Sequence, residues 1–125
     1  MPTFDISREI SGSGEFVRQQ SCFREFVTAD GSSGFKAEPG RYHLYVSYAC
    51  PWASRSIIFR KLKGLEDVIS MTVVDPVRDD RGWKFFPDEP DPVNGFEFLL
   101  EAYQLTKPDF SARVTVPLLW DKQQN

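Results

Sequence analysis

The chain has 125 residues, 41% of them hydrophobic and 26% charged, with 15 lysines and arginines against 18 aspartates and glutamates for a net charge of −3. That length allows one core and at most one domain. The charge balance gives no electrostatic reason to expect a nucleic acid, and no apolar run reaches the roughly 18–20 residues of a transmembrane helix.

Residues 1–41 come first. Their opening is polar and mixed in charge, without an apolar signal core or an arginine-rich transit pattern, so the cytoplasm is the expected compartment. Gly12, Gly14, Gly31, Gly34 and Gly40, with many serines, predict an extended arm of little regular structure. Phe16, Phe23, Phe26 and Phe35 are scattered through it, which predicts that it packs along the domain. Cys22 has no proline or helix start beside it and reads as a plain free thiol, with a resolving partner for Cys50 as the alternative. Two cysteines make no disulfide framework. One histidine and two separated cysteines match no metal-ligand spacing, so no metal is expected, and His43 reads as a strand residue.

From Tyr42 to Val46, tyrosine, leucine and valine fall on alternate positions, the pattern of a strand. Cys50-Pro51 then reads as a helix start. Proline suits the first helical position, and the residue before it is pushed out of the α region, which puts Cys50 at the N-cap. A cysteine there faces unpaired backbone N–H groups and the positive end of the helix dipole, surroundings that favour thiolate, the nucleophilic form. Position four of a C-x-x-C motif is Ala53, so a disulfide formed by Cys50 needs an outside thiol to resolve it, and glutathione is the obvious small one. The alternative is a buried, inert cysteine.

The helix from Pro51 is expected to run to about Lys63, with Ala53, Ile57, Ile58, Leu62 and Leu65 facing inward and Gly64 as its cap. Residues 68–74 are a β-branched apolar run of strand length, so strand, helix and strand predict a parallel pair. Residues 75–92, with four prolines and several acids, predict a long surface loop. Within it, Trp83 is either a local packing anchor or a ligand contact. Asn94 looks like an N-cap with Glu97 in a capping-box relation, ahead of a short helix whose face is Phe96, Leu99, Leu100 and Tyr103. Residues 114–120 have a strand pattern interrupted by Pro117, unusual for a central strand.

Taken together, Phe35 to Ser47, Ala49-Cys50-Pro51-Trp52-Ala53 with Arg55, Gly82-Trp83-Lys84-Phe85, and Ser111 to Lys122 closely resemble the glutathionyl-hydroquinone reductases, the Xi-class relatives of the omega glutathione transferases. The likeness runs from about Ser21 to Lys122. The family commonly reads Cys-Pro-Trp-Ala-His-Arg, and Ser54 stands here in place of the histidine.

The resemblance implies an α/β, thioredoxin-like fold, the N-terminal domain of a glutathione transferase, incomplete at its C-terminal end. Its parts are an arm over residues 1–41 and a partial glutathione-binding domain over residues 42–125. Cys50 is implied as catalytic, and Trp83, Arg113, Val114, Thr115 and Val116 as glutathione-binding. Pro117 is implied as a cis proline that faces the thiol, leaving the Val116 backbone to pair with the tripeptide. Glutathione is the implied co-substrate, glutathionylated quinols the implied partners, and the family is homodimeric. After Lys122 the family continues with a fourth strand, a Glu-Ser pair for the γ-glutamyl end and a helical domain. The stretch given therefore reads as a truncated product, a fragment or an incomplete gene model, with an open strand edge. The implied activity is reduction of S-glutathionyl-hydroquinones through a Cys50–glutathione disulfide, impaired at this length. A weakly binding, non-catalytic half-domain and an omega- or glutaredoxin-type deglutathionylase are the alternatives.

Overall fold

A computed structural model describes residues 6–125, so the first five residues of the arm lie outside the described residues. Its elements are β1 (Tyr42–Val46), α1 (Pro51–Leu62), β2 (Ser70–Val73), α2 (Leu100–Thr106) and β3 (Leu118–Asp121). The sheet order is β2-β1-β3. β1 and β2 are parallel, His43 opposite Ser70 and Val46 opposite Val73, the geometry that a helical crossover permits. β3 runs antiparallel on the other side, with Tyr42 opposite Asp121 and Tyr45 opposite Leu118.

All five residues of β1 are buried. The strand is central, so both faces are covered and its polar residues need internal partners. His43 has them: Nδ1 lies 2.6 Å from the Ser70 hydroxyl and Nε2 2.8 Å from that of Thr72. Tyr45, on the same face, packs edge-on against His43 and Phe85.

Burial holds the His43 imidazole below the usual histidine range. The unfolded chain then binds more protons than the native one from about pH 6.5 downward. Stability is therefore full above that pH and falls as the solution is acidified, levelling off below the native value. The melting midpoint should decline between pH 8 and pH 5, and His43→Gln should flatten that decline. The same slope in both proteins would place the pH dependence elsewhere.

α1 ends at Leu62, where Gly64 takes a left-handed φ of +62° and the Leu65 N–H bonds the Arg60 carbonyl at 2.9 Å. Its buried line is narrower than the periodicity implied. Ala53 is buried and Ile57 half-buried, but Ile58, Phe59 and Leu62 are 54%, 61% and 76% exposed. The small Ala53 and Ile57, four residues apart, make one line along the helix. Ile58 and Leu62 form a second line about 140° further round and face away from the core.

β2 is shorter than residues 68–74, because the N–H groups of Val68 and Ile69 turn back to the Leu65 carbonyl. Residues 75–92 are not a free surface loop. Trp83, Phe85 and Asp91 are buried, and Phe85 and Leu99 donate backbone hydrogen bonds to Glu97 and Trp83. Asp91 is the knot: it accepts from the Tyr45 hydroxyl at 2.7 Å and from the Val93 and Asn94 N–H groups at 3.1 and 2.9 Å.

That knot overturns the expected cap. Asn94 does not start α2, which begins at Leu100 after Leu99. The Asp91 carboxylate holds residues 93–94 in a turn, an alternative that short acidic side chains offer the backbone. No side chain caps α2; Glu101 in its first turn reaches back instead and accepts from the Glu97 and Phe98 N–H groups ahead of the helix at 2.8 Å each. Leu99, Leu100, Ala102 and Tyr103 are buried, while Phe96 lies outside the helix and half-buried.

Among its described residues the arm has one helical turn at Ile6–Glu9 and two isolated bridges, Ile10 to Phe16 and Thr28 to Lys36. Phe23 packs on Tyr103 and Phe110, but Phe16 and Phe26 are 56% and 77% exposed, so one aromatic anchors the stretch and those two do not. Arg8 donates to the Ser111 carbonyl at 3.1 Å. At the sheet's other end, Arg41 grips Asp121 through Nε at 3.0 Å and Nη2 at 2.7 Å, which holds the carboxyl below the usual carboxylate range.

Candidate active site

Cys50 occupies the N-cap of α1 with extended φ and ψ of −101° and 114°, and Pro51 follows at the first helical position. Proline fixes this geometry for the reasons read from the sequence. No side chain caps the helix, so its first N–H groups are left to the sulfur and to whatever binds there. The thiol is half-buried, and its Sγ lies 3.5 Å from the Val116 carbonyl. The Ser54 hydroxyl bonds back to the Cys50 carbonyl at 3.3 Å and is occupied inside the helix.

The opposite wall is residues 113–117. The Val116–Pro117 peptide bond is cis. β3 begins only at Leu118, because proline has no N–H for the ladder and residues 114–116 run outside the sheet. Tyr103 steadies this wall with a 2.7 Å hydrogen bond to the Thr115 carbonyl. Trp83 reaches the site through Gly82, whose φ of +93° suits glycine and whose added Cβ would sit 3.4 Å from Val114.

One cleft of about 440 Å³ is lined by Cys50, Trp83, Arg113, Val114, Thr115 and Val116, together with Arg18, Trp52 and Arg78. The six residues expected from the sequence thus line a single cleft, while Pro117, next to Val116, does not line it and borders another cavity. Arg113 carries a feature that sequence reasoning missed: it is ion-paired with Glu9 of the arm, which is 1% exposed. A lone acid in an irregular segment carries no signal of burial. Arg18 was missed for the same reason, although its guanidinium lies 4.3 Å from the centre of the Trp52 ring. Cys22 is exposed and does not line this cleft. Among the described residues, no group of three or more histidine, cysteine or acidic side chains could hold a metal ion. Among the described residues, no helix is long and apolar enough to cross a membrane.

A strand leading to a cysteine at a helix start, across from a cis proline before the antiparallel strand, defines a thioredoxin-like domain of the glutathione-transferase kind. The chain belongs to the glutathione S-transferase N-terminal domain family, which matches residues 49–125. It is similar, at 46% identity over 115 residues, to the glutathionyl-hydroquinone reductase PcpF of Sphingobium chlorophenolicum, over 90% of this chain and 36% of that protein. The glutathione S-transferase Xi from Phanerochaete chrysosporium superposes with a TM-score of 0.84 at 47% identity, over 95% of this chain and 40% of its own. The glutathione-bound structure of YqjG from Escherichia coli K-12 does so with a TM-score of 0.76 at 51% identity, over 81% and 36%. The chain thus spans little more than a third of these relatives.

Proposed function

We propose that this chain is the thiol-bearing part of a glutathione-dependent reductase acting on S-glutathionyl-hydroquinones. The observation that carries this reading is the cleft in which Cys50 faces Trp83 and the Arg113–Val116 wall. Cys50 thiolate attacks the glutathionyl sulfur, the sulfur–aryl bond breaks, and the aryl carbon keeps the electron pair and takes up a proton. This leaves a Cys50–glutathione disulfide and free hydroquinone. A second glutathione thiolate attacks the disulfide, releases oxidised glutathione and restores the thiolate. The Val116 backbone beside the sulfur is placed to pair with the extended tripeptide, and Trp83 to pack on it.

Incubated with oxidised glutathione, the chain should gain one glutathione at Cys50, removed by added reduced glutathione and located by peptide mass spectrometry. Cys22, with no helix start beside it, should be modified much more slowly. An internal Cys22–Cys50 disulfide as the main product would sink the external-thiol mechanism. Turnover of a glutathionylated hydroquinone against a glutathionylated peptide separates the reductase reading from a general deglutathionylase.

A further inference from the structure

The cleft around Cys50 is lined by three arginines and by no acidic side chain, in a chain whose net charge is −3. The three arginines are held differently. Arg113 is matched by the buried carboxylate of Glu9. Arg18 and Arg78 are exposed, and each lies over a tryptophan of the same cleft, 4.3 Å from the Trp52 ring centre and 5.4 Å from that of Trp83. Of the three acids within three residues of Arg78, Asp79 pairs with Arg81 at 2.6 Å and Asp75 with Lys84 at 3.9 Å, while Asp80 does not line the cleft. Stacking uses the face of a guanidinium and steadies it, while its N–H edge stays open to a carboxylate.

We propose that Arg18 and Arg78, each seated on a tryptophan, form an anion-reading rim that makes the Cys50 thiol selective for sulfur compounds carrying carboxylates. The inference rests on the reading of Cys50 as the exchanging thiol and adds what selects its partner. Arg18 comes from the arm and Arg78 from the stretch between β2 and α2, so two segments far apart in sequence set the specificity together. Neither is a catalytic residue: both act on the ligand's charge and leave the sulfur chemistry to Cys50. An arginine edge meets a carboxylate with two parallel hydrogen bonds, which a hydroxyl or an ammonium group cannot match.

The test is thiol–disulfide exchange, in which Cys50 forms a bond to one half of a small disulfide and expels the other half as thiolate. The probes are dithiodipropionate (anionic), bis(2-hydroxyethyl) disulfide (neutral) and cystamine (cationic). Each rate is measured by mass spectrometry on the full chain carrying Cys22→Ser and divided by the rate of free N-acetylcysteine amide, which has no charged group besides its thiolate, with the same probe. The corrected anionic rate should exceed the neutral one by about tenfold at low salt and the cationic rate should fall below it, with the preference shrinking as salt is added. Arg18→Gln and Arg78→Gln should each lower the anionic-to-neutral ratio by about three- to tenfold, and Arg→Lys at either position should recover part of it. Arg24→Gln, an exposed arm arginine outside the cleft, makes the same change in net charge and should leave the ratio alone. A ratio no greater than that of the free thiol, or one that neither glutamine variant lowers, overturns the rim while leaving Cys50 as the exchanging thiol. Failure of Cys50 to react with any of the three overturns the underlying reading itself.

Discussion

Replacement of Cys50 by serine is expected to lower glutathione transfer by at least about a thousandfold, the scale on which a covalent nucleophile is lost. A hydroxyl at the same N-cap would hold the helix equally well, since serine is a good cap, so the fold should survive and the melting midpoint should change little. What goes is the only thiol that lines the cleft among the described residues. The measurement pairs the rate of adduct formation with circular dichroism of the same sample. Persistence of an adduct in the folded Cys50→Ser chain would move the nucleophile to Cys22 and empty the cleft of its assigned role. Cys22→Ser, by contrast, should retain the rate of the parent.

Asp91→Ala is expected to be the most damaging change away from the thiol. The carboxylate is 3% exposed and serves the Tyr45 hydroxyl and three backbone N–H groups at once. Burial, with Asp91 beside it, pushes the Tyr45 hydroxyl well above the usual phenol range, so it remains a donor at every ordinary pH. Alanine would strand the buried Tyr45 hydroxyl and take the acceptor from the part-buried N–H groups, at a cost of about 3 kcal/mol, or roughly 10 °C in the midpoint for a domain of this size. Asp91→Asn keeps one acceptor oxygen and should cost less. Urea unfolding of the three proteins reads this directly. A loss below about 1 kcal/mol for alanine would mean that the loop refolds around another acceptor.

The contrast between Cys50 and Asp91 shows what could be read in advance. The strand, Cys50-Pro51 and α1 are encoded by neighbours a few residues apart, so pattern alone placed the helix end within a residue. The wall at residues 113–117 was reachable only through family resemblance, because nothing in Val114 to Trp120 by itself says which residues leave the sheet. Asn94 misled for a physical reason. Asp91 offered the same turn chemistry three residues earlier and had Tyr45 of the central strand to tie to, a partner distant in sequence. α1 misled because periodicity reports which residues could face a core and not how wide the covered stripe is. Glu9 and Arg18 were invisible, since each takes its meaning from a residue of the folded domain, Arg113 or Trp52, and the arm around them has no periodicity of its own.

The bonds that fasten the arm and close the sheet span unusual distances along the chain: 103 residues from Arg8 to Ser111, 90 from Gly34 to Gln124, and 80 from Arg41 to Asp121. Closing loops of this length costs only slightly more than closing shorter ones, but contacts so remote are made late and slow the search. During synthesis the order is stricter still. At about 5–20 residues per second, the 66 residues between Cys50 and Val116 take several seconds to emerge. Throughout that interval the thiol has left the ribosome and nothing yet stands across from it. Oxidation in that interval would block the sulfur before the wall that faces it has formed.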